Sequence, residues 1–475
     1  MSGGISAFMR RRRDGLLFFF SGLRHGDVYT KLSYLIMGSG HMAHGEAGRG
    51  LFYFLVEVLF ILYTVFFGSG YLGKFFYGFF THGTVGTVET YDYWNDDKGY
   101  YEKIAGDNSF KIILYGILSL FIIIFFLLLY RSSVLDGVML EKRRRDGKAA
   151  FSFKDDILSF ADGKFHMTLL SLPLLGLFVF TFVPLVTMVF IAFTNYDAST
   201  EVPQHLFSWV GLGNFCDILG GDGSLSLTFV RVLLWTLVWA FFATFTNYFA
   251  GMILALLINH RGIRFKKVFR TIFVMTIAVP QFVSLMIMSK MLASGDSLEM
   301  SGIITQFLYK AFGFEFKFGI NITHTRIAII LVNMWIGVPY TMLICSGILM
   351  NIPSDLYESA RLDGAGPAVQ FFRITLPYML FVTGPYLITQ FVGNINNFNV
   401  IYLLSGGGPG DLLRYTNGAK STDLLITWLY SLSLGVNRDY KLASVIGIIV
   451  FIISATLSLL VYNKSSAVKK EDDFQ

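Results

Sequence analysis

Eight long apolar runs, separated by polar segments, dominate the hydrophobic pattern of the chain. Each is close to or above the roughly 20 residues that an apolar helix needs to cross a bilayer, and the longest have room to tilt. The runs lie near 51–68, 110–130, 167–194, 227–258, 270–290, 326–349, 376–397 and 440–462. The pattern therefore predicts an all-α polytopic membrane protein with eight transmembrane helices.

The basic residues are distributed unevenly along this pattern. With the N-terminus placed inside, 25 of the 38 Lys and Arg residues fall in the inner segments and eight in the outer segments. Basic residues favour the cytoplasmic side, so we expect a multi-pass protein of the cell (inner or cytoplasmic) membrane with both termini in the cytoplasm. Because the net charge of +6 is not spread evenly along the chain, we expect no nucleic-acid partner, and we expect the basic run Lys142–Arg145 to lie near anionic membrane lipid. Cys216 and Cys345 lie far apart, and we expect neither a disulfide nor a metal site.

Four regions are expected along the chain. Residues 1–50 form a cytoplasmic or interfacial segment, in which Arg10–Arg13 and the apolar residues after them indicate an interfacial amphipathic helix. Residues 51–166 contain two additional N-terminal transmembrane helices and a cytoplasmic loop. Residues 167–462 form a six-helix core, and residues 463–475 form a cytoplasmic tail.

A polar segment interrupts the core at Asn351–Pro377, which we call the elbow. We expect a short helix to begin near Ser354 and to end at Gly364, since glycine adopts the left-handed cap conformation at low cost. Pro367 suits the first turn of a second short helix, and Pro377 opens the next apolar run. The elbow contains charged residues that cannot remain in lipid, namely Asp355, Glu358, Arg361, Asp363 and Arg373. We therefore expect it to protrude into the cytoplasm.

Neutral amides occur at membrane depth in the runs on either side of the elbow. Residues three or four apart share one face of a helix, which predicts two polar faces. One consists of Asn333, Gly337 and Tyr340, and the other of Gln390, Asn394 and Asn397. Amides donate to and accept from hydroxyl groups, and an aromatic ring stacks on the apolar face of a pyranose, so these faces suit a neutral polyhydroxylated ligand. The alternative is that the amides form hydrogen bonds between helices.

The spacing within the elbow resembles the EAA coupling loop of ABC-importer permeases. Glu358-Ser359-Ala360 is followed after three residues by Gly364 and after nine more by Ile374-Thr375-Leu376-Pro377. Ser359 departs from the usual alanine. The resemblance implies that a separate ATPase subunit grips the elbow. The contact positions that it implies are Glu358, Ser359, Ala360, Asp363, Gly364, Ile374, Leu376 and Pro377.

Further stretches resemble the larger membrane subunit of maltose-type importers, a type I ABC importer family. They are Val332–Tyr340, Phe371–Pro377, Asn394–Phe398, Gly406–Pro409 and Ser421–Leu425. The resemblance makes 167–462 a permease core and implies a sugar site between two of its helices. The site residues that it implies are Asn333, Ile336, Gly337, Tyr340, Gln390, Gly393, Asn394 and Asn397. Gln390 and Gly393 depart from the family's residue types, and the large external insertion of some members is absent.

The function implied is a non-enzymatic permease subunit of a carbohydrate importer. Its expected partners are a second permease, two ATP-binding cassette subunits and an external sugar-binding lipoprotein or periplasmic protein. No GxxxxGK[ST] phosphate-binding motif occurs in the sequence, so we expect ATP and magnesium on the partner ATPase and no cofactor on this chain. The alternatives are an ABC permease for a non-sugar solute, a secondary transporter and an integral membrane glycosyltransferase. A secondary transporter would show inverted repeats and buried ionisable groups, and a glycosyltransferase would show clustered carboxylates.

Overall fold

The computed structural model describes residues 19–464, apart from 82, 97, 148–157, 159–161, 202–204, 221–222, 260–263 and 436–437. The chain divides into two compact units, Met1–Gly211 and Leu212–Gln475. Most of the predicted N-terminal interfacial helix lies outside the described residues, and residues 19–25 are helical.

The first unit is largely helical and includes one β-hairpin. Its helices are α1 Val28–Leu32, α2 Ser39–Ala43, α3 Ala47–Tyr63, α4 Ser69–Thr81, α5 Ser109–Arg145, α6 Phe165–Leu177 and α7 Val183–Ile191. π-helical turns at Thr64–Gly68 and Phe178–Phe182 join α3 to α4 and α6 to α7, and a 3₁₀ turn spans Ala198–Thr200. Strands β1 (Tyr91–Asn95) and β2 (Tyr100–Ile104) pair antiparallel, with Tyr93 opposite Glu102.

The second unit contains the elbow and both predicted polar faces. Its helices are α8 Gly213–Leu219, α9 Ser224–Asn259, α10 Lys266–Ala278, α11 Gln281–Leu292, α12 Ile303–Phe312, α13 Ile322–Leu349, α14 Ser354–Leu362, α15 Pro367–Gln370, α16 Leu376–Ile395, α17 Phe398–Leu404, α18 Leu425–Leu434 and α19 Tyr440–Lys464. A π-helical turn at Phe371–Thr375 joins α15 to α16.

The prediction of a polytopic helical membrane protein is confirmed. Among the described residues, seven helices are long and apolar enough to cross a membrane, and one bent pair makes an eighth candidate. The seven are Ala47–Thr81, Ser109–Arg145, Phe165–Ile191, Ser224–Asn259, Ile322–Leu349, Pro367–Ile395 and Tyr440–Leu460.

Three of the predicted spans differ from the structure. The first, at 51–68, ends too early because the aromatic residues of 69–81 continue the helix to Thr81. The second, at 110–130, is too short because the helix continues through its basic end to Arg145, where positive charge suits the helix dipole. The fifth, at 270–290, is not one helix. α10 and α11 meet at 89° around Pro280, which lacks the amide proton that a continuous helix needs.

Helices α9 and α13 run parallel and pack closely in the second unit. A Cβ atom on Gly251 of α9 would lie 2.6 Å from the Cβ of Thr341 on α13. Such close approach requires glycine at the contact. Trp239 and Tyr248 of α9 are fully buried in the core around this pair.

Candidate functional site

Helix α13 carries the first predicted polar face, and the structure distributes its members between interior and surface. Asn333 is buried, with 6% of its surface exposed, and Ile336 and Gly337 are half-buried. Tyr340 is 52% exposed. The face therefore starts in the packed interior of the unit and turns outward within two helical turns.

Helix α16 carries most of the second face. Gln390 is half-buried, and Gly393 is exposed with open space where a Cβ would lie. Asn394 is buried, at the end of the helix. Asn397 does not lie on this helix, contrary to the sequence prediction, because α16 ends at Ile395. Its side chain instead caps α17, accepting from the amide of Val400.

The two asparagines of this face nevertheless meet. Asn397 Nδ2 donates to Asn394 Oδ1 over 3.2 Å, and Asn394 Nδ2 donates to Thr244 Oγ1 of α9 over 3.0 Å. The indole nitrogen of Trp239, also on α9, donates to the carbonyl of Asn394. Asn394 thus makes the interhelical hydrogen bonds that the sequence analysis gave as the alternative to ligand binding.

Helix α9 contacts both predicted faces, and the sequence analysis missed it. Thr244 bonds to α16, and the amide of Asn247 lies against Gly337 of α13. Tyr248, one residue further, has its hydroxyl oxygen 2.8 Å from that of Thr383 on α16. Polar residues at helical spacing within an apolar run mark a face that contacts other helices or a cavity. That pattern, if followed in 227–258, would have found these residues.

The elbow folds as the sequence predicts at its first helix. α14 begins at Ser354 and ends at Leu362, and Gly364 follows with φ +77°. The amide of Ala365 donates to the carbonyl of Ala360, and that of Gly364 donates to Arg361, which is the Schellman arrangement. Ser354 is the first helical residue and makes no capping bond, since Pro353 occupies the cap position.

The second half of the elbow is continuous with the next span. Pro367 starts α15 as predicted, but α15, the π-helical turn and α16 form one helix from Pro367 to Ile395. The predicted separate second helix is therefore wrong. Tyr357 of α14 lies across this helix, with its hydroxyl oxygen 2.9 Å from that of Thr375.

The predicted coupling residues lie mostly on the surface of the elbow. Exposed positions are Glu358, Ser359, Asp363, Gly364 and Pro377, and half-buried ones are Ala360, Ile374 and Leu376. Apolar side chains of the elbow are also exposed, and Leu362 is 90% exposed. A charged and apolar surface of this kind is available to a protein partner.

Two of the family-like stretches meet in the loop between α17 and α18. The amide of Thr422 donates to the carbonyl of Gly407, and its hydroxyl donates to that of Gly408. Asp423 is buried beside Gly407, where an added Cβ would lie 2.2 Å from Asp423 Oδ1. Burial raises the pKa of Asp423 to about 6, although bonds from Thr427 and the Lys420 amide act in the opposite direction. The loop is therefore tightly anchored at its base.

In the first unit, Asp27, His44 and Glu141 bring potential metal-ligand atoms within 4.8 Å of one another. His44 Nε2 lies 3.3 Å from Asp27 Oδ2, and the guanidinium of Arg144 lies 3.4 Å from His44 Nδ1. A guanidinium only donates, so Nδ1 is the acceptor and Nε2 carries the proton toward Asp27. Glu141 accepts from the amide of Asp27. The group is explained as a hydrogen-bonded link between α5 and the segment before α1.

The chain resembles known transport proteins over almost its whole length. Residues 247–466 match the family model described as binding-protein-dependent transport system inner membrane component. The maltodextrin transport system permease protein MalC of Streptococcus pneumoniae is 31% identical over 442 residues, which cover 92% of this chain and 96% of that protein. The galactooligosaccharides transport system permease protein GanP of Bacillus subtilis is 31% identical over 451 residues, covering 94% and 100%.

A solved structure confirms the fold class. A chain of a bacterial ABC transporter involved in the import of the acidic polysaccharide alginate superposes with a TM-score of 0.50 at 20% identity, covering 65% of this chain and 97% of that one. The seven or eight candidate spans in the described part of the chain, the Schellman turn of the elbow and the relatives that match almost end to end all indicate the same family. The chain belongs to the family of inner membrane components of binding-protein-dependent transport systems.

Proposed function

We propose that this chain is the permease subunit of an ATP-driven importer for neutral oligosaccharides. The observation that carries the proposal is the chemistry of α13 and α16. From Ile327 to Leu349, and from Leu376 to Ile395, the sequence contains no Asp, Glu, Lys, Arg or His, whereas it does contain amides and exposed Tyr340. An uncharged face of amides and an aromatic ring suits a sugar better than an ion or an amino acid.

The relatives support the same substrate class. Those named above are maltodextrin and galactooligosaccharide permeases, and both substrates are neutral oligosaccharides. Within the proposed site, Asn333, Ile336, Gly337 and Tyr340 form one wall. Gln390, Gly393, Asn394 and Asn397 form the other wall. Gly393 leaves open space beside α16. Asn394 and Asn397 are hydrogen-bonded to each other, and this bond fixes the orientation of the N–H groups and oxygen lone pairs that are left on the two amides.

The elbow is the proposed contact with a separate ATPase. It presents exposed Glu358 and Leu362 on α14, and Tyr357 links α14 to the base of the span that carries Gln390 and Asn394. Movement of α14 would therefore be transmitted along a single helix to Gln390 and Asn394 of the proposed sugar site. ATP and magnesium would bind the two ATPase subunits, while a second permease and an external sugar-binding protein complete the importer. Both termini would lie in the cytoplasm.

The proposal is tested in the source organism by deleting and restoring the gene for this chain. We expect restoration to return uptake of radiolabelled maltotriose or galactotriose, and we expect uptake to stop when the ATPase is inactivated. A charged probe, an alginate trisaccharide, should not be imported. Uptake of neutral trisaccharides that is independent of this chain would overturn the substrate class. Uptake that needs this chain but survives loss of the ATPase would instead indicate a secondary transporter.

A further inference from the structure

The side-chain amide of Asn247 on α9 lies directly against Gly337, one of the α13 residues of the proposed sugar site. A Cβ atom on Gly337 would be 2.4 Å from Asn247 Nδ2 and 3.2 Å from Asn247 Oδ1. The side chain of Asn247 therefore occupies the space that any larger residue at 337 would need. Because residue 337 is glycine, α9 can place the polar side chain of Asn247 among the α13 residues of the proposed sugar site.

The buried polar groups at this contact are only partly satisfied. Asn247 Oδ1 is buried and has no hydrogen-bond partner among the described residues, and the same holds for Asn333 Nδ2. Asn333 lies one helical turn before Gly337, on the same face of α13. Buried amide groups are normally paired, because an unpaired one loses its bonds to water without compensation.

These two atoms are complementary in kind. Asn247 Oδ1 is an acceptor on α9, and Asn333 Nδ2 is a donor on α13. A sugar hydroxyl donates one hydrogen bond and accepts others, so it can satisfy both. The neighbours of Asn247 on α9 are already engaged, since Thr244 bonds to Asn394 and Tyr248 to Thr383. Asn247 is thus the member of this polar face whose acceptor remains for a ligand.

We propose that Asn247 is a specificity-determining residue of the transport pathway, whose side-chain oxygen accepts a hydrogen bond from a sugar hydroxyl at the level of Gly337. The inference rests on the proposed function and adds a third helix, α9, to the two-helix site. It predicts that one hydroxyl of the sugar is recognised by Asn247 of α9, with Asn333 donating from one helical turn earlier on α13.

The test uses the complete transporter in the source organism, with the gene for this chain replaced by variants. Asn247→Ala removes the acceptor, and Asn247→Leu removes it while keeping the side-chain volume. Thr246→Val is the matched control, because the Thr246 hydroxyl donates to the carbonyl of Phe242 within its own helix. Initial uptake of maltotriose, galactotriose and their monodeoxy analogues is measured at sugar concentrations well below saturation and normalised to the amount of membrane-inserted protein.

We expect Asn247→Ala or Asn247→Leu to lower uptake of the unmodified trisaccharide that the wild type imports, maltotriose or galactotriose, about tenfold. This is the loss expected for one hydrogen bond. One deoxy analogue should be transported poorly by the wild type and no worse by the variants, while Thr246→Val keeps the wild-type pattern. Equal proportional loss for every analogue would overturn the inference, because it indicates a packing role. Wild-type rates in both variants would also overturn it. A wild type that imports none of these sugars would instead overturn the proposed function itself.

Discussion

At the scale of single residues, the size of the side chain at 337 is set by a neighbouring helix. Gly337→Ala would place a methyl group 2.4 Å from Asn247 Nδ2, which forces the amide or the helix to move. We expect this variant to lose roughly 1–3 kcal/mol of stability through overpacking. Gly347→Ala, on the same helix but facing open space, is the control and should be neutral or slightly stabilising. Thermal unfolding of the purified complex measures both.

The double variant Gly337→Ala/Asn247→Ala tests whether the loss of stability comes from a steric clash between these two residues. Asn247→Ala should restore most of the stability lost in Gly337→Ala, because it removes the atoms that the new methyl group meets. Additive losses in the double variant would show that the two residues do not compete for space.

Asp423 gives the loop between α17 and α18 a dependence on pH. Its pKa is about 6 in the folded loop, above its ordinary value of 3.8, so the folded form binds the proton more tightly than the unfolded form. The resulting stabilisation is complete below about pH 4 and is lost as the pH rises through about 6. We expect amide-exchange protection of 405–424, corrected for intrinsic rates, to fall by up to about tenfold between pH 5 and 7.5.

Asp423→Asn provides the comparison for that measurement. The amide has a similar shape and does not titrate, so the protection of 405–424 should no longer change with pH in this range. A pH dependence that persists unchanged in Asp423→Asn would assign the effect to another group.

The sequence predicted which residues carry the polar faces better than it predicted what they contact. Spacing placed Asn333, Gly337 and Tyr340 on one face correctly, since that depends only on helical periodicity. It could not show that Asn394 bonds to Thr244, because contacts between helices depend on how distant segments pack. Asn397 was misplaced for a different reason: the helix ends two residues earlier, and helix ends are weakly marked within an apolar run.

At the scale of elements, two nearby glycines of the elbow provide a matched pair of substitutions. Gly364 has φ +77° and Gly366 has φ −70°, and a Cβ at either position would meet nothing within 4 Å. Only the backbone conformation distinguishes them. We expect Gly364→Ala to destabilise the turn by roughly 1 kcal/mol, whereas Gly366→Ala is neutral or slightly stabilising.

The functional measurement for this pair is the number of sugars imported per ATP hydrolysed. If the elbow transmits movement, a distorted turn in Gly364→Ala lowers that ratio while Gly366→Ala leaves it unchanged. The same ratio in both variants would remove the support that the elbow gives to the coupling role.

Local signals explain which elements were predicted well. The first helix of the elbow had a glycine stop and a charged surface, and both its ends agree with the structure. The run at 270–290 contained Pro280, which predicts a bend, but not its size of 89°, because that angle depends on what α10 and α11 pack against. The extension of the first span to Thr81 was missed because glycines and Lys74 within 69–81 resemble a loop.

At the scale of the whole molecule, orientation in the membrane can be measured with two exposed leucines. Leu413, in the loop between α17 and α18, is 98% exposed, and Leu362 is the exposed residue at the end of α14. In a chain with Cys216→Ser and Cys345→Ala, we expect a membrane-impermeant maleimide to label Leu413→Cys in sealed, right-side-out membrane vesicles. Leu362→Cys should react only after the membrane is opened. The opposite result would place the elbow outside and contradict the proposed topology.

The count and class of the spans could be predicted from sequence because bilayer thickness imposes a length on every apolar run. The division into units at Gly211 and Leu212 could not, since no composition change marks it. The predicted borders of the permease core at 167 and 462 stay a prediction.

The exposed apolar residues of the elbow also affect the lifetime of the newly synthesised chain in the cell. Leu356, Leu362 and Phe372 all have large side chains that are exposed to solvent. Until another subunit covers them, they form an exposed apolar surface to which chaperones and other newly synthesised chains can bind. We therefore expect this polypeptide to be short-lived when synthesised alone and to accumulate only when its proposed ATPase is produced alongside it.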